Sequence, residues 1–155
     1  MSFSHSTGYA IRALACLGAG LEGRQLCFIK EVAEYSGVPG PYLARVMSRL
    51  ARHGIVTAKR GYRGGIALAR DPNTISAMEI VEAMEGKEWA GKCMFNIAEC
   101  TEKCPCPTQP FWNDIRHKME MELRSITLAD FIACVRRHQR LEAKARVADR
   151  TRRAA

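Results

Sequence analysis

No apolar run in the 155-residue sequence approaches the roughly 18 residues that a membrane-spanning helix needs, so a membrane protein of that kind is excluded. Residues 1–10 lack the basic-then-apolar pattern of a secretory signal, and a cytoplasmic location is expected. Internal repeats and low-complexity tracts are missing too. So is any pairing of a nucleophile with a base: His5, His53, His117 and His138 are scattered and read as surface or packing residues, which argues against an enzyme. Acidic residues are absent from residues 41–70, which hold Arg45, Arg49, Arg52, Lys59, Arg60, Arg63 and Arg70.

That local absence changes the meaning of the net charge of +8. Residues 41–70 carry +7 and residues 136–153 carry +6, so the rest of the chain carries −5. Two basic blocks on an otherwise acidic protein fit a polyanionic partner. For the second block, ordinary solvated charge is an equal alternative.

Apolar spacing predicts a helix over residues 4–17, ended by Gly18 and Gly20, and a second over residues 29–36. Gly37-Val38-Pro39-Gly40 breaks the pattern. A third helix over residues 41–53 follows, with Leu43, Val46, Met47 and Leu50 on its apolar side. Two short helices joined by a tight glycine-containing turn describe a helix-turn-helix, whose second helix enters the major groove. The polar face of that helix carries Tyr42, Arg45, Ser48, Arg49 and Arg52.

Residues 55–59 and 66–69 read as strands around a glycine-rich tip with Arg60 and Arg63, and Lys59 precedes it. A hairpin after a recognition helix is a wing, and arginines at its tip suit a narrow minor groove. The strand–loop–strand order argues against a nucleotide-phosphate loop. A fourth helix is predicted over residues 76–85, with Gly86 as its stop.

Regular patterning then disappears from residue 87 to residue 110 and returns in a helix over residues 111–125. There Trp112, Ile115, Met119, Leu123 and Ile126 follow 3-4-4-3 spacing, a narrow seam of coiled-coil type. The seam suits either packing on its own chain or pairing of two chains, and a homodimer is favoured because helix-turn-helix proteins pair to read two half-sites. A short closing helix over residues 127–135 precedes a basic extension, residues 136–155, for which a helical conformation is open. The expected organisation is a winged helix-turn-helix unit in residues 1–86, a cysteine-rich sensor loop in 87–110, dimerisation and closing helices in 111–135, and the extension.

Seven cysteines in a reducing compartment suggest metal or redox chemistry rather than a disulfide framework. Cys16, Cys27 and Cys134 fall in or beside predicted elements and are expected to be buried as small hydrophobes. Cys93, Cys100, Cys104 and Cys106 lie within fourteen residues of a proline-bearing loop without periodicity. Thiolates are soft ligands that select zinc or iron–sulfur centres. The spacing differs from the paired two-residue spacing of zinc ribbons.

With these motifs the sequence resembles the Rrf-two family of bacterial repressors, whose iron–sulfur members include the IscR, NsrR and RirA types. The resemblance covers residues 4–133. It rests on Tyr9-Ala10 and Leu14, the pairs Arg60-Gly61 and Gly64-Gly65 with Leu68-Ala69-Arg70, Ile80-Val81, Glu85-Gly86 and the cysteine loop. It implies a mainly α fold, a winged helix-turn-helix with a two-stranded wing and a long dimerisation helix. It also implies a homodimer that binds a double-stranded DNA operator and is gated by a [2Fe–2S] or [4Fe–4S] cluster. The implied ligands are Cys93, Cys100 and Cys106, with Trp112 six residues beyond Cys106 as in the family. Cys104 is an additional thiol that can replace Cys106, supply a fourth thiolate or stay outside the site. Gln109 stands where some members have a histidine ligand, and Ala44 where some have a glutamate in the recognition helix. The alternatives are a cluster-free thiol or zinc regulator, an RNA- or protein-binding winged helix with a zinc knuckle and, more distantly, an iron–sulfur electron carrier.

Overall fold

The computed structural model describes residues 3–20, 26–59, 61, 64–91, 93 and 106–154. Among them the order is α1 (His5–Gly20), α2 (Ile29–Ser36), α3 (Gly40–Arg52), β1 (Val56–Lys59), β2 (Gly65–Leu68), α4 (Ala77–Glu85), α5 (Gln109–Ser125) and α6 (Leu128–Ala154). Short 3-10 turns occupy Pro72–Thr74 and Lys87–Gly91.

Each of the first three helices buries one face. Ala10, Ala13, Leu14 and Leu17 of α1 meet Val32 of α2 and Leu43, Val46, Met47 and Leu50 of α3. Gly37 adopts φ 66° and caps α2, its N–H donating to the Ala33 carbonyl at 2.9 Å. Val38, buried in the turn, ties α2 to α3. Each such aliphatic side chain withdrawn from water contributes roughly 1.5–3 kcal/mol. Ile55 and Ile66 carry the core into the wing.

The wing is an antiparallel pair in which Val56 faces Leu68 and Lys59 faces Gly65. Cys27 adds a bridge to it: its N–H donates to the Ile66 carbonyl at 2.9 Å, and Ile66 N–H donates back at 2.7 Å. Cys16 and Cys27 are buried, as their positions predict.

α4 is buried on both sides. Ile80, Ala83 and Met84 join the main core, while Met78 and Val81 form a second cluster with Trp89, against which Phe3, Met119 and Leu123 pack. Glu85 at the end of α4 caps α1 across 81 residues of sequence. Its Oε1 accepts the Ser4 N–H at 2.9 Å and the Ser4 hydroxyl at 2.6 Å, and also the buried Thr7 hydroxyl.

Three expectations need correction. α1 does not stop at Gly18 but runs through it to Gly20. Gly18 is instead where α6 crosses α1: a Cβ there would lie 2.2 Å from Ile132 Cδ1. The closing helix has no break near residue 135: the basic extension takes the helical option and continues α6 to Ala154, because alanine, arginine and lysine sustain a helix where the apolar pattern has ended. Cys134 is exposed, since Phe131 and Ile132 are the residues α6 turns to the core.

Within one chain the α5 seam packs in part on its own domain. Trp112 is buried, Met119 and Leu123 pack on the second cluster, and Ile115 is half-buried. Arg116 fixes the contact, donating to the Ala90 carbonyl at 2.6 Å with its guanidinium 5.8 Å from the Trp112 ring centre. α4 and the turn after it cover part of this apolar surface, and Ile115, Met119 and Leu123 keep the rest of theirs outside the core.

Candidate functional site

α3 places Tyr42, Arg45, Ser48, Arg49 and Arg52 on its exposed side, because its stripe of Leu43, Val46, Met47 and Leu50 is turned inward. Pro41 in the first turn removes an N–H that would have no helical acceptor. Tyr42 is held from α1. Its hydroxyl lies 2.5 Å from the Ser6 hydroxyl, and its ring meets Tyr9 edge-on with centroids 5.3 Å apart. Arg12 lies over Tyr9 at 5.6 Å. Ser6, Tyr9 and Arg12 therefore continue the surface of α3 onto α1. Sequence reasoning missed Ser6 and Arg12 there, because the contact joins residues about 36 positions apart and no local pattern signals it.

Lys59 is exposed at the end of β1. At the wing tip Gly61 adopts φ 107°, and its carbonyl accepts the Gly64 N–H at 2.8 Å. Arg60 and Arg63 lie outside the described residues.

Of the four loop cysteines, Cys93 and Cys106 are described; Cys100 and Cys104 lie outside the described residues. Cys106 stands just before α5, and its carbonyl accepts the Gln109 N–H at 3.1 Å. Its sulfur is 3.1 Å from the Thr108 hydroxyl. Hydrogen bonding by Thr108, first through its side chain, pulls the Cys106 thiol below its ordinary pKa. Cys93 is close enough for its charge to push the other way. Two half-exposed thiols are thus within electrostatic range of each other, and Cys106, just before α5, is biased towards the thiolate that binds metal. This donor set fits a soft metal centre, although among the described residues no group of three or more possible ligands is gathered.

A helix-turn-helix with an arginine-bearing recognition helix and a two-stranded wing is a DNA-binding winged helix of the transcription-regulator class. Comparison with known proteins narrows the class. The family profile described as "Rrf2: Iron-dependent Transcriptional regulator" matches residues 3–134, and the chain belongs to that family. An Aquifex aeolicus protein assigned to the HTH-type transcriptional regulators is 30% identical over 140 residues, 89% of this chain and 96% of its own. The HTH-type transcriptional regulator IscR of Escherichia coli is 27% identical over 124 residues, 80% of this chain and 75% of IscR. Among solved structures, CymR, the global cysteine regulator of B. subtilis, superposes with a TM-score of 0.71 at 25% identity, covering 86% of this chain and 97% of CymR. T. potens IscR gives 0.68 at 26% identity, covering 90% and 91%. The chain is a transcriptional regulator and not an enzyme. Among the described residues no helix is long and apolar enough to cross a membrane.

Proposed function

We propose that the chain is a homodimeric, sequence-specific DNA-binding repressor whose operator affinity is gated by an iron–sulfur cluster held by Cys93, Cys100 and Cys106. Arg45, Ser48, Arg49, Arg52 and Tyr42 meet the major groove and backbone, while Lys59, Arg60 and Arg63 serve the wing. The observation that carries the gating is the pair of thiols, Cys106 held by Thr108 just before α5 and Cys93 within electrostatic range of it. Trp89 and Ala90, in the short turn that separates Cys93 from α4 in the chain, pack on Met78 and Val81 of α4, and Glu85 of α4 caps α1. A change in how the thiols are tethered is thereby passed to the helix that underlies α1 and α3. When bound, a cluster supplies a link among thiolates that is sensitive to iron, redox state and nitric oxide. It must bind the two conformations with different affinity for any shift to follow. Two chains pair along α5 through its seam, where Ile115, Met119 and Leu123 keep part of their surface outside the core beside the buried Trp112.

Protein purified without oxygen should contain iron and acid-labile sulfide, and should select an operator from a random duplex library more tightly in one cluster state than in the other. Cys93→Ala and Cys100→Ala should abolish the visible absorbance, and Cys106→Ala should leave at most a residual signal carried by Cys104. Zinc without sulfide, or equal operator affinity with and without the cluster, overturns the gating. The likeness to CymR, a cysteine regulator, favours a second reading in which the same thiols act without a metal. Thiol-dependent DNA binding in iron-free protein identifies that case.

A further inference from the structure

α6 changes character along its length. Its first half is anchored: Leu128 and Ile132 sit in the main core, Arg136 donates to the Gly18 carbonyl at 3.2 Å, and the Gln139 amide donates to the Tyr35 hydroxyl of α2 at 3.1 Å. Beyond Gln139 the helix runs on to Ala154. That stretch contains Arg140, Lys144, Arg146, Arg150, Arg152 and Arg153 against Glu142 and Asp149, a net of +4. At 1.5 Å per residue its fifteen residues reach about 22 Å, some two-thirds of a duplex turn. Its large apolar residues are Leu141 and Val147. Six residues apart, these two fall on different helix faces and provide no stripe to bury against the protein or a second helix. What such a helix can match is negative charge.

Its point of departure selects the partner. In a helix-turn-helix the first helix crosses the DNA backbone while the second enters the groove. Among the side chains that are described, the last anchor of α6 is Tyr35, in the final turn of that first helix, α2, and 51% exposed. We propose that residues 140–154 of α6 are a second DNA-binding element, which grips backbone phosphates flanking the half-site regardless of sequence; this rests on α3 being the groove-reading helix. Neither the resemblance nor the cysteine site involves this stretch.

The test uses the full chain and a variant with Lys144, Arg146, Arg150, Arg152 and Arg153 each changed to Gln. Binding to a random-sequence duplex of about 40 base pairs is measured from about 50 to 200 mM salt. The variant should bind at least about tenfold more weakly at the low-salt end, and the slope of log K against log salt should flatten by up to about 4, at roughly 0.9 per lost phosphate contact. Helix content and thermal midpoint should be unchanged, since these positions lie beyond the anchored half. Unchanged affinity and slope on the duplex overturn the proposal. So does a loss confined to single-stranded RNA of the same length, or loss of the dimer in sedimentation, which would make the stretch an interface between copies. The companion variant Arg45→Ala/Arg49→Ala separates the two readings. If it alone weakens binding, the flanking grip fails; if only the Gln variant does, the assignment of α3 fails.

Discussion

The main core and the smaller cluster meet on α4, with Ile80, Ala83 and Met84 facing the first and Met78 and Val81 facing the second. The main core is assembled from α1, α2, α3, the wing and α6, and its largest members, such as Leu14, Leu43 and Leu50, are fully buried. The smaller cluster leans on the half-buried Met119 and Leu123 of α5. It also contains a buried indole, Trp89, whose Nε1–H has no acceptor among the described residues. A buried unpaired donor costs on the order of 1–3 kcal/mol. The DNA-facing half is thus the stiffer unit, and the side next to Cys93 and Cys106 opens at lower cost, which is where a gate is best placed.

The largest expected effects test that contrast directly. Leu50→Ala removes a fully buried side chain from α3 and should cost about 3 kcal/mol, read as a fall in the denaturation midpoint. Met119→Ala, at a half-buried site, should cost only about 1 kcal/mol. Equal losses would mean that the second cluster is no weaker than the first. Trp89→Phe sharpens the contrast: it removes the orphaned N–H while keeping most of the ring, so it should cost far less than the roughly 3–5 kcal/mol expected of Trp89→Ala. A Phe variant as unstable as the Ala variant would show that the indole nitrogen has an acceptor after all.

A smaller effect belongs to the crossing of α1 and α6. Gly18→Ala gains about 1 kcal/mol of helix propensity, but its Cβ needs the space of Ile132 Cδ1. Overpacking should win, for a net loss of about 1 kcal/mol. Ile132→Val, which deletes Cδ1, should recover part of that loss in the double mutant. Simple additivity in the double-mutant cycle would mean that the two helices do not press on each other at Gly18.

These sites also mark where sequence patterns carry structural information. The stripe of α3, the break at Gly37 and the paired wing strands were legible because each rests on residues a few positions apart. The seam of α5 was legible as a seam, but 3-4-4-3 spacing is the same whether its partner is α4 or a second chain. Gly18 reads as a helix stop because nothing local reveals Ile132, and the Glu85 cap on α1 joins residues 81 apart. At the candidate site, the exposed arginines of α3 follow from its buried stripe. The Ser6–Tyr42 contact follows from no local pattern.

The smallest effect concerns the capping box that starts α4. Glu79 accepts the Ser76 N–H at 2.9 Å and the Ser76 hydroxyl at 3.2 Å, Ser76 Oγ accepts the Glu79 N–H at 3.2 Å, and Arg70 pairs with the same carboxylate. Burial pushes the Glu79 pKa up, but the hydrogen bonds from Ser76 and Arg70, with the Arg70 charge, more than offset it and hold the carboxyl below its ordinary 4.5. A carboxyl depressed in the folded state binds its proton more weakly there than in the unfolded chain. Its contribution to stability is therefore complete above about pH 4.5 and is lost as the pH falls through the lower folded value. Glu79 and Arg70 are both more than a third exposed, so salt screens the pair and the effect is small. Ser76→Ala should cost about 1 kcal/mol near neutrality through the lost cap. Glu79→Gln should lose less there, and its stability should fall less steeply than that of the wild type below pH 4.5. Asp71 and Asp130 are depressed by their own turns and titrate in both proteins, so the difference between the two acid curves isolates Glu79. Superimposable curves would mean that the box holds α4 by geometry alone, with no contribution from the charge.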